Sequence, residues 1–267
     1  MHQKLMGSGG GAQQVVIAAA AGMGGVGKTA LARAYVREQA AAYPGGIWWL
    51  RVREMDLVSE ILAAAAFFAW EVPDLPRTEQ QVAWCWQQWQ QAAPGKRLLM
   101  LDDVPDYSAV RPFLPRDDSF RVLMTSRTQF GKPVDRLDLD MLAPAVAEEL
   151  LRALMGPDDP RLDADLETAA KILEWLGYLP LGIELVGKYL EARPTVSLAI
   201  LWQRLQDKRL DARALAELPA ERAYEYNLRA TFELSWQELS PLAQQIAGLL
   251  SIFALAPIQQ DWILERV

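Results

Sequence analysis

Cysteine and histidine are almost missing from this chain of 267 residues: each occurs once, as Cys85 and His2. A single cysteine excludes an internal disulfide. With Trp84, Trp86 and Trp89 around it, Cys85 reads as a small buried hydrophobe rather than a reactive thiol. One histidine beside the amino terminus leaves no basis for histidine catalysis or a histidine metal site. No uninterrupted apolar stretch reaches the ~18 residues that a membrane span needs; residues 61–70 and 246–257 come nearest. The opening residues lack the apolar centre of a signal peptide and read as a flexible leader, so a cytoplasmic location is expected. Blocks of basic charge are also missing. The net charge of −7 comes from interspersed acids and bases, which argues against nucleic acid as the main partner.

What the chain does have is enough apolar material, 51% of residues, to bury sizeable cores. Residues 15–20 form a short apolar run that ends at a glycine cluster, as a buried strand does. Residues 29–42 follow with helical spacing, stopped by Pro44-Gly45-Gly46. Further strands are expected at 47–52, 97–101, 120–125 and 134–139, with helices at 57–70, 79–91 and 107–113 between them. Strands alternating with helices predict an α/β domain built on a parallel sheet. Beyond Leu142 the strand pattern stops and helical segments follow, split by Gly156-Pro157, Pro180 and Pro194. The expected division is a flexible leader (1–14), a nucleotide-binding α/β domain (15–142), a helical domain (143–222) and a partial winged-helix domain (223–267).

Gly22-Met-Gly-Gly-Val-Gly-Lys28-Thr29 carries the spacing of a phosphate loop, with a strand before it and a helix after it. Glycines allow successive backbone N–H groups to turn inward around an anion, and the helix that follows adds its positive dipole end. Average residue frequencies give such a pattern in about 1 in 100 chains of this length, and the flanking elements make chance rarer still. Gly24, Gly25, Val26, Gly27, Lys28, Thr29 and Ala30 are therefore the expected nucleotide-binding residues. Lys28 would reach the β- and γ-phosphates, and the Thr29 hydroxyl would ligate Mg²⁺. Asp102 and Asp103 end a buried strand, where a second metal contact has to come from. Asp102 is the expected metal partner, and Asp103 would orient or deprotonate water. Arg127 follows another buried strand and could contact a γ-phosphate through its guanidinium. Lys28, Asp103 and Arg127 are thus the catalytic candidates. The strand between the two motifs suggests the additional-strand subclass of P-loop NTPases, with sheet order 2-3-1-4-5.

In their order these residues resemble the NB-ARC branch of the STAND signalling NTPases. The phosphate loop with its Met-Gly-Gly core, Leu98-Leu-Met-Leu-Asp102-Asp103 and Val122-Leu-Met-Thr-Ser126-Arg127 are similar to three of its motifs. Leu142-Ala-Pro-Ala, Gly177-Tyr-Leu-Pro180-Leu181 and residues 228–253 are similar to three more. The resemblance implies an ATP/ADP switch with Mg²⁺, in which ADP holds a closed state and ATP exchange permits oligomerisation. It also implies slow hydrolysis, and packing of Pro180 and Leu181 near the adenine or ribose. A ring-assembling turnover ATPase is the alternative reading, and a DNA-reading winged helix a weaker one. The chain departs from the family before the first strand, where Gly7–Gly11 stands in place of an adenine-holding segment. It also stops early in the winged helix, so a fragment of a longer protein is expected.

Overall fold

The computed structural model describes residues 1–6, 13–19, 24–53, 56–210 and 220–251. They fall into two compact units, residues 1–140 and 141–267.

In the first unit a helical turn, α1 (His2–Leu5), precedes strand β1 (Gln13–Ala19). Helix α2 (Lys28–Gln39), β2 (Ile47–Arg51), α3 (Leu57–Phe67), α4 (Thr78–Ala92) and β3 (Arg97–Asp102) follow. The short α5 (Tyr107–Val110) then leads to β4 (Phe120–Ser126) and β5 (Asp135–Leu139). All five strands pair in parallel. Burial explains the continuous apolar runs that mark these strands. In β3, Leu98 and Met100 face a core with Ala32 and Tyr35 of α2, whereas Leu99 and Leu101 join Ile61, Trp86 and Trp89 from α3 and α4. A strand covered on both faces has no polar side to alternate with. Each fully buried leucine contributes roughly 2 kcal/mol.

Capping shows where helices start and stop. The Asp56 carboxylate accepts from the Ser59 N–H at the start of α3. At the far end of α4 the buried Arg97 donates to the carbonyls of Trp89, Gln90, Ala93 and Gly95. One cation thereby satisfies the orphan carbonyls of a helix end that lies under the sheet.

The sheet order is β2-β3-β4-β1-β5, which corrects the expected 2-3-1-4-5. The strand inserted between the phosphate-loop strand and the Asp102 strand is β4. The link from β3 to β4 holds only the four-residue α5 and a three-residue 3₁₀ turn, Arg111–Phe113. Such a link steps to the adjacent position, as consecutive strands usually do.

The leader also differs from expectation. Leu5 is fully buried among Tyr35, Tyr43, Leu98 and Leu123. His2 Nδ1 hydrogen-bonds the Tyr35 hydroxyl at 3.0 Å, and Lys4 donates to the Arg136 carbonyl at 2.6 Å. Leu5, with Met1 and Met6 packed beside it, docks the terminus on the sheet face beside α2. Residues 7–12 lie outside the described residues.

The second unit is helical: α6 (Pro144–Met155), α7 (Pro160–Ala164), α8 (Leu166–Trp175), α9 (Pro180–Glu191), α10 (Leu198–Leu210), α11 (Ala220–Gln237) and α12 (Pro241–Leu250). Its core joins Leu151, Ile172, Ile183, Val186 and Leu201 with Ala230 and Leu234 of α11. Helix α11 runs through the expected boundary at 222/223 and packs its apolar stripe into the helical core. The rest of the expected winged helix, residues 252–267, lies outside the described residues.

Candidate phosphate-binding site

The carboxyl ends of the parallel strands bring most of the expected site together. Residues 20–23, including Gly22 and Met23 of the loop, lie outside the described residues. From Gly24 onward the loop is defined. Gly25 and Gly27 have φ of 79° and 96°, left-handed values that a side chain adopts only with strain. A Cβ placed on Gly24 or Gly27 would meet nothing within 4 Å. The glycine at Gly27 is thus demanded by backbone conformation, and the space beside the loop is open. Val26 is buried, Ala30 is exposed, and the Gly27 carbonyl accepts the first helical bond from Leu31 at 2.8 Å.

Lys28 occupies the first turn of α2 and is buried. Burial lowers its pKa, and Arg127 lowers it further, against the opposing pull of Asp103 and Asp102. A buried ammonium with a depressed pKa gains from an anion placed beside it.

Asp102 ends β3 and Thr125 sits near the end of the adjacent β4. The Asp102 Oδ1 accepts from the Thr29 hydroxyl at 2.9 Å and from the Thr125 hydroxyl at 2.5 Å. The Thr125 oxygen accepts in turn from the Asp103 N–H at 2.8 Å. The buried Thr125 hydroxyl thus ties both aspartates to β4, and the Thr29 hydroxyl ties Asp102 to the loop helix. Thr29 and Asp102 offer hard oxygens side by side, the donor set that suits Mg²⁺. Among the described residues no group of three or more His, Cys, Asp or Glu converges, so phosphate oxygens and water would have to complete such an ion's shell.

Asp103 adopts the left-handed conformation, φ 56°. Its Oδ2 accepts from Arg53 Nη1 at 3.0 Å, and its Oδ1 lies 3.7 Å from Arg127 Nε. Arg127 is half exposed. Just before it, Ser126 is fully buried; its hydroxyl donates to the Val104 carbonyl and accepts from the Thr128 N–H. Lys28, Thr29, Asp102, Asp103 and Arg127 therefore form one constellation.

Pro180 and Leu181, in the second unit, open α9 after a turn in which Gly177 and Tyr178 both have positive φ. Proline suits that first helical position, and Leu181 is exposed.

Two residues of the constellation were not singled out from the sequence. Thr125 carried a signal, a lone hydroxyl inside the buried run Val122-Leu-Met-Thr. Arg53 carried none, because an arginine just past an edge strand looks like any surface cation.

A glycine loop joining an interior parallel strand to a helix, with its lysine in the first helical turn and Asp102 hydrogen-bonded to its threonine, defines a P-loop NTPase, a nucleotide-binding class. Within that class, residues 1–131 match the NB-ARC domain family. Two curated relatives are each called regulatory protein AfsR. That of Streptomyces coelicolor is 31% identical over 88% of this chain, and that of Streptomyces griseus is 30% identical over 88%. The chain spans only 23% and 24% of their lengths. Among solved structures, a STAND ATPase with a tetratricopeptide-repeat sensor from Pyrococcus horikoshii superposes with a TM-score of 0.55. It is 18% identical, over 96% of this chain and 35% of that one, so the likeness is one of fold. No helix among the described residues is long and apolar enough to cross a membrane.

Proposed function

We propose that this chain is the adenine-nucleotide switch module of a larger regulatory protein. ADP holds a closed state, exchange for ATP opens it and permits self-association, and slow hydrolysis resets it. The observation that carries this reading is the position of Arg127. It stands at the end of the strand next to the phosphate loop, half exposed and facing a carboxylate rather than buried in backbone contacts. An arginine so placed can exchange Asp103 for a γ-phosphate, which gives the two nucleotides different contacts, as a population shift requires.

In this reading the loop from Gly24 to Ala30 cradles the phosphates and Lys28 neutralises them. Thr29 and Asp102 hold Mg²⁺, which when bound offsets charge on the phosphate oxygens. Asp103 orients water once Arg127 is drawn to phosphate, and Pro180 with Leu181 packs against the adenine or ribose. The regulatory role of the AfsR relatives, together with the lack of a basic cluster in residues 228–267, favours a switch over a DNA reader.

Mass spectrometry of small molecules released when the purified protein is denatured tests this reading. ADP at close to one per chain is expected, with turnover that stays slow as protein concentration rises. A protein that neither carries nor takes up adenine nucleotide overturns the reading. Turnover that climbs steeply with concentration replaces it with a ring-assembling ATPase.

A further inference from the structure

Arg53 lies just beyond β2, outside every motif of the loop, yet its guanidinium is the nearer of the two that face Asp103. It hydrogen-bonds Oδ2 at 3.0 Å, while Arg127 stands off Oδ1 at 3.7 Å, beyond hydrogen-bond range. Asp103 is held in its left-handed conformation with its N–H on Thr125, so its carboxylate reaches both arginines from a fixed backbone. The constellation then holds three cations, Lys28, Arg53 and Arg127, against two carboxylates, Asp102 and Asp103. Without Arg53 it would hold two against two. Asp103, having lost its nearer partner, would then close on Arg127.

We infer that Arg53 is a positioning residue for the triphosphate state: by engaging Asp103 it keeps Arg127 available to a γ-phosphate. The inference rests on the nucleotide reading above. A diphosphate makes no demand on Arg127, so Arg53 discriminates between the two nucleotides without touching either.

The test uses the full chain and fluorescent ATP and ADP analogues, titrated with Mg²⁺ into wild type, Arg53→Gln, Arg53→Lys, Asp103→Asn and the Arg53→Gln/Asp103→Asn double variant. Arg53→Gln is expected to weaken the ATP analogue about three- to fivefold, as for a half-exposed ion pair, and to leave the ADP analogue within about twofold. Arg53→Lys should recover most of the loss. In the Asp103→Asn background, Arg53→Gln should have no further effect, a result that a merely structural role would not give. Equal weakening of both analogues, or a loss that persists in that background, overturns the inference. If wild type binds both analogues and Arg53→Gln is silent, the inference alone fails. If wild type binds neither, the proposed function fails with it.

Discussion

The two units of this protein use arginine in opposite ways. In the helical unit, Arg161 is 15% exposed and spends its donors completely. It grips Asp159 with Nε and Nη2, then donates to the carbonyl of Leu190 in the last turn of α9 and to those of Arg193 and Val196 just beyond it. In the α/β unit, Arg127 is 52% exposed, and its ion pair among the described residues is a 3.7 Å contact with Asp103. Both pair with aspartate, but only one is bound into the backbone. The difference separates a guanidinium that ties a chain together from one that can change partners when an anion arrives.

Removing the structural arginine should have the largest effect. Arg161→Ala strands a partly buried carboxylate and leaves three carbonyls unmet, at a cost of about 3 kcal/mol. Chemical denaturation followed by tryptophan fluorescence should show it. A loss under about 1 kcal/mol would erase the contrast, because Arg161 would then resemble a surface pair.

Lys28→Ala comes next. It should weaken both ADP and ATP about 100-fold, or about 2.7 kcal/mol, while leaving the unliganded fold at least as stable, since the ammonium is buried against its own preference. Affinity within a few-fold of wild type would remove Lys28 from the cradle. A smaller and more selective effect is expected at Arg127→Ala: about tenfold on ATP, or about 1.4 kcal/mol, and within about twofold on ADP. Equal losses for both nucleotides would make Arg127 a general phosphate contact and not a sensor.

How much of this could be read from the sequence depended on whether the chemistry lay in local order. The phosphate loop, the Asp102-Asp103 pair and Arg127 are each defined by their position in a strand–turn pattern, and the structure brings Lys28, Thr29, Asp102, Asp103 and Arg127 together. Strand order was not local. Placing β4 between β1 and β3 depends on which strands share hydrogen bonds, and periodicity is silent on that. Arg53 was hidden for the same reason, since its tie to Asp103 links residues fifty apart through the edge of the sheet. The docked terminus was missed because three apolar residues in six, Met1, Leu5 and Met6, are too few to show a period, although Leu5 is wholly buried. Helix α11 looked like the start of a new domain because composition changes before it, whereas its apolar stripe belongs to the helical core.

The smallest expected effect is a pH dependence confined to the helical unit. The Asp159 carboxyl is held below its ordinary pKa, first by its hydrogen bonds with the Arg161 guanidinium and then by the Arg161 backbone N–H and that residue's charge; desolvation opposes the shift. A depressed folded-state pKa means the folded form keeps its carboxylate charged where the unfolded chain already binds a proton. The stabilisation is therefore complete above the unfolded value, about pH 4, and is lost as the pH falls through the lower folded value. Asp159→Asn mimics the protonated side chain at every pH. At pH 7 it should cost about 1 kcal/mol, and the gap to wild type should shrink steadily below about pH 4. Denaturation midpoints at pH 7, 4 and 3 measure that gap. A gap that stays constant would show that Asp159 acts through shape alone, and the contrast between a bound arginine and an exchangeable one would then have to rest on the backbone carbonyls of Leu190, Arg193 and Val196.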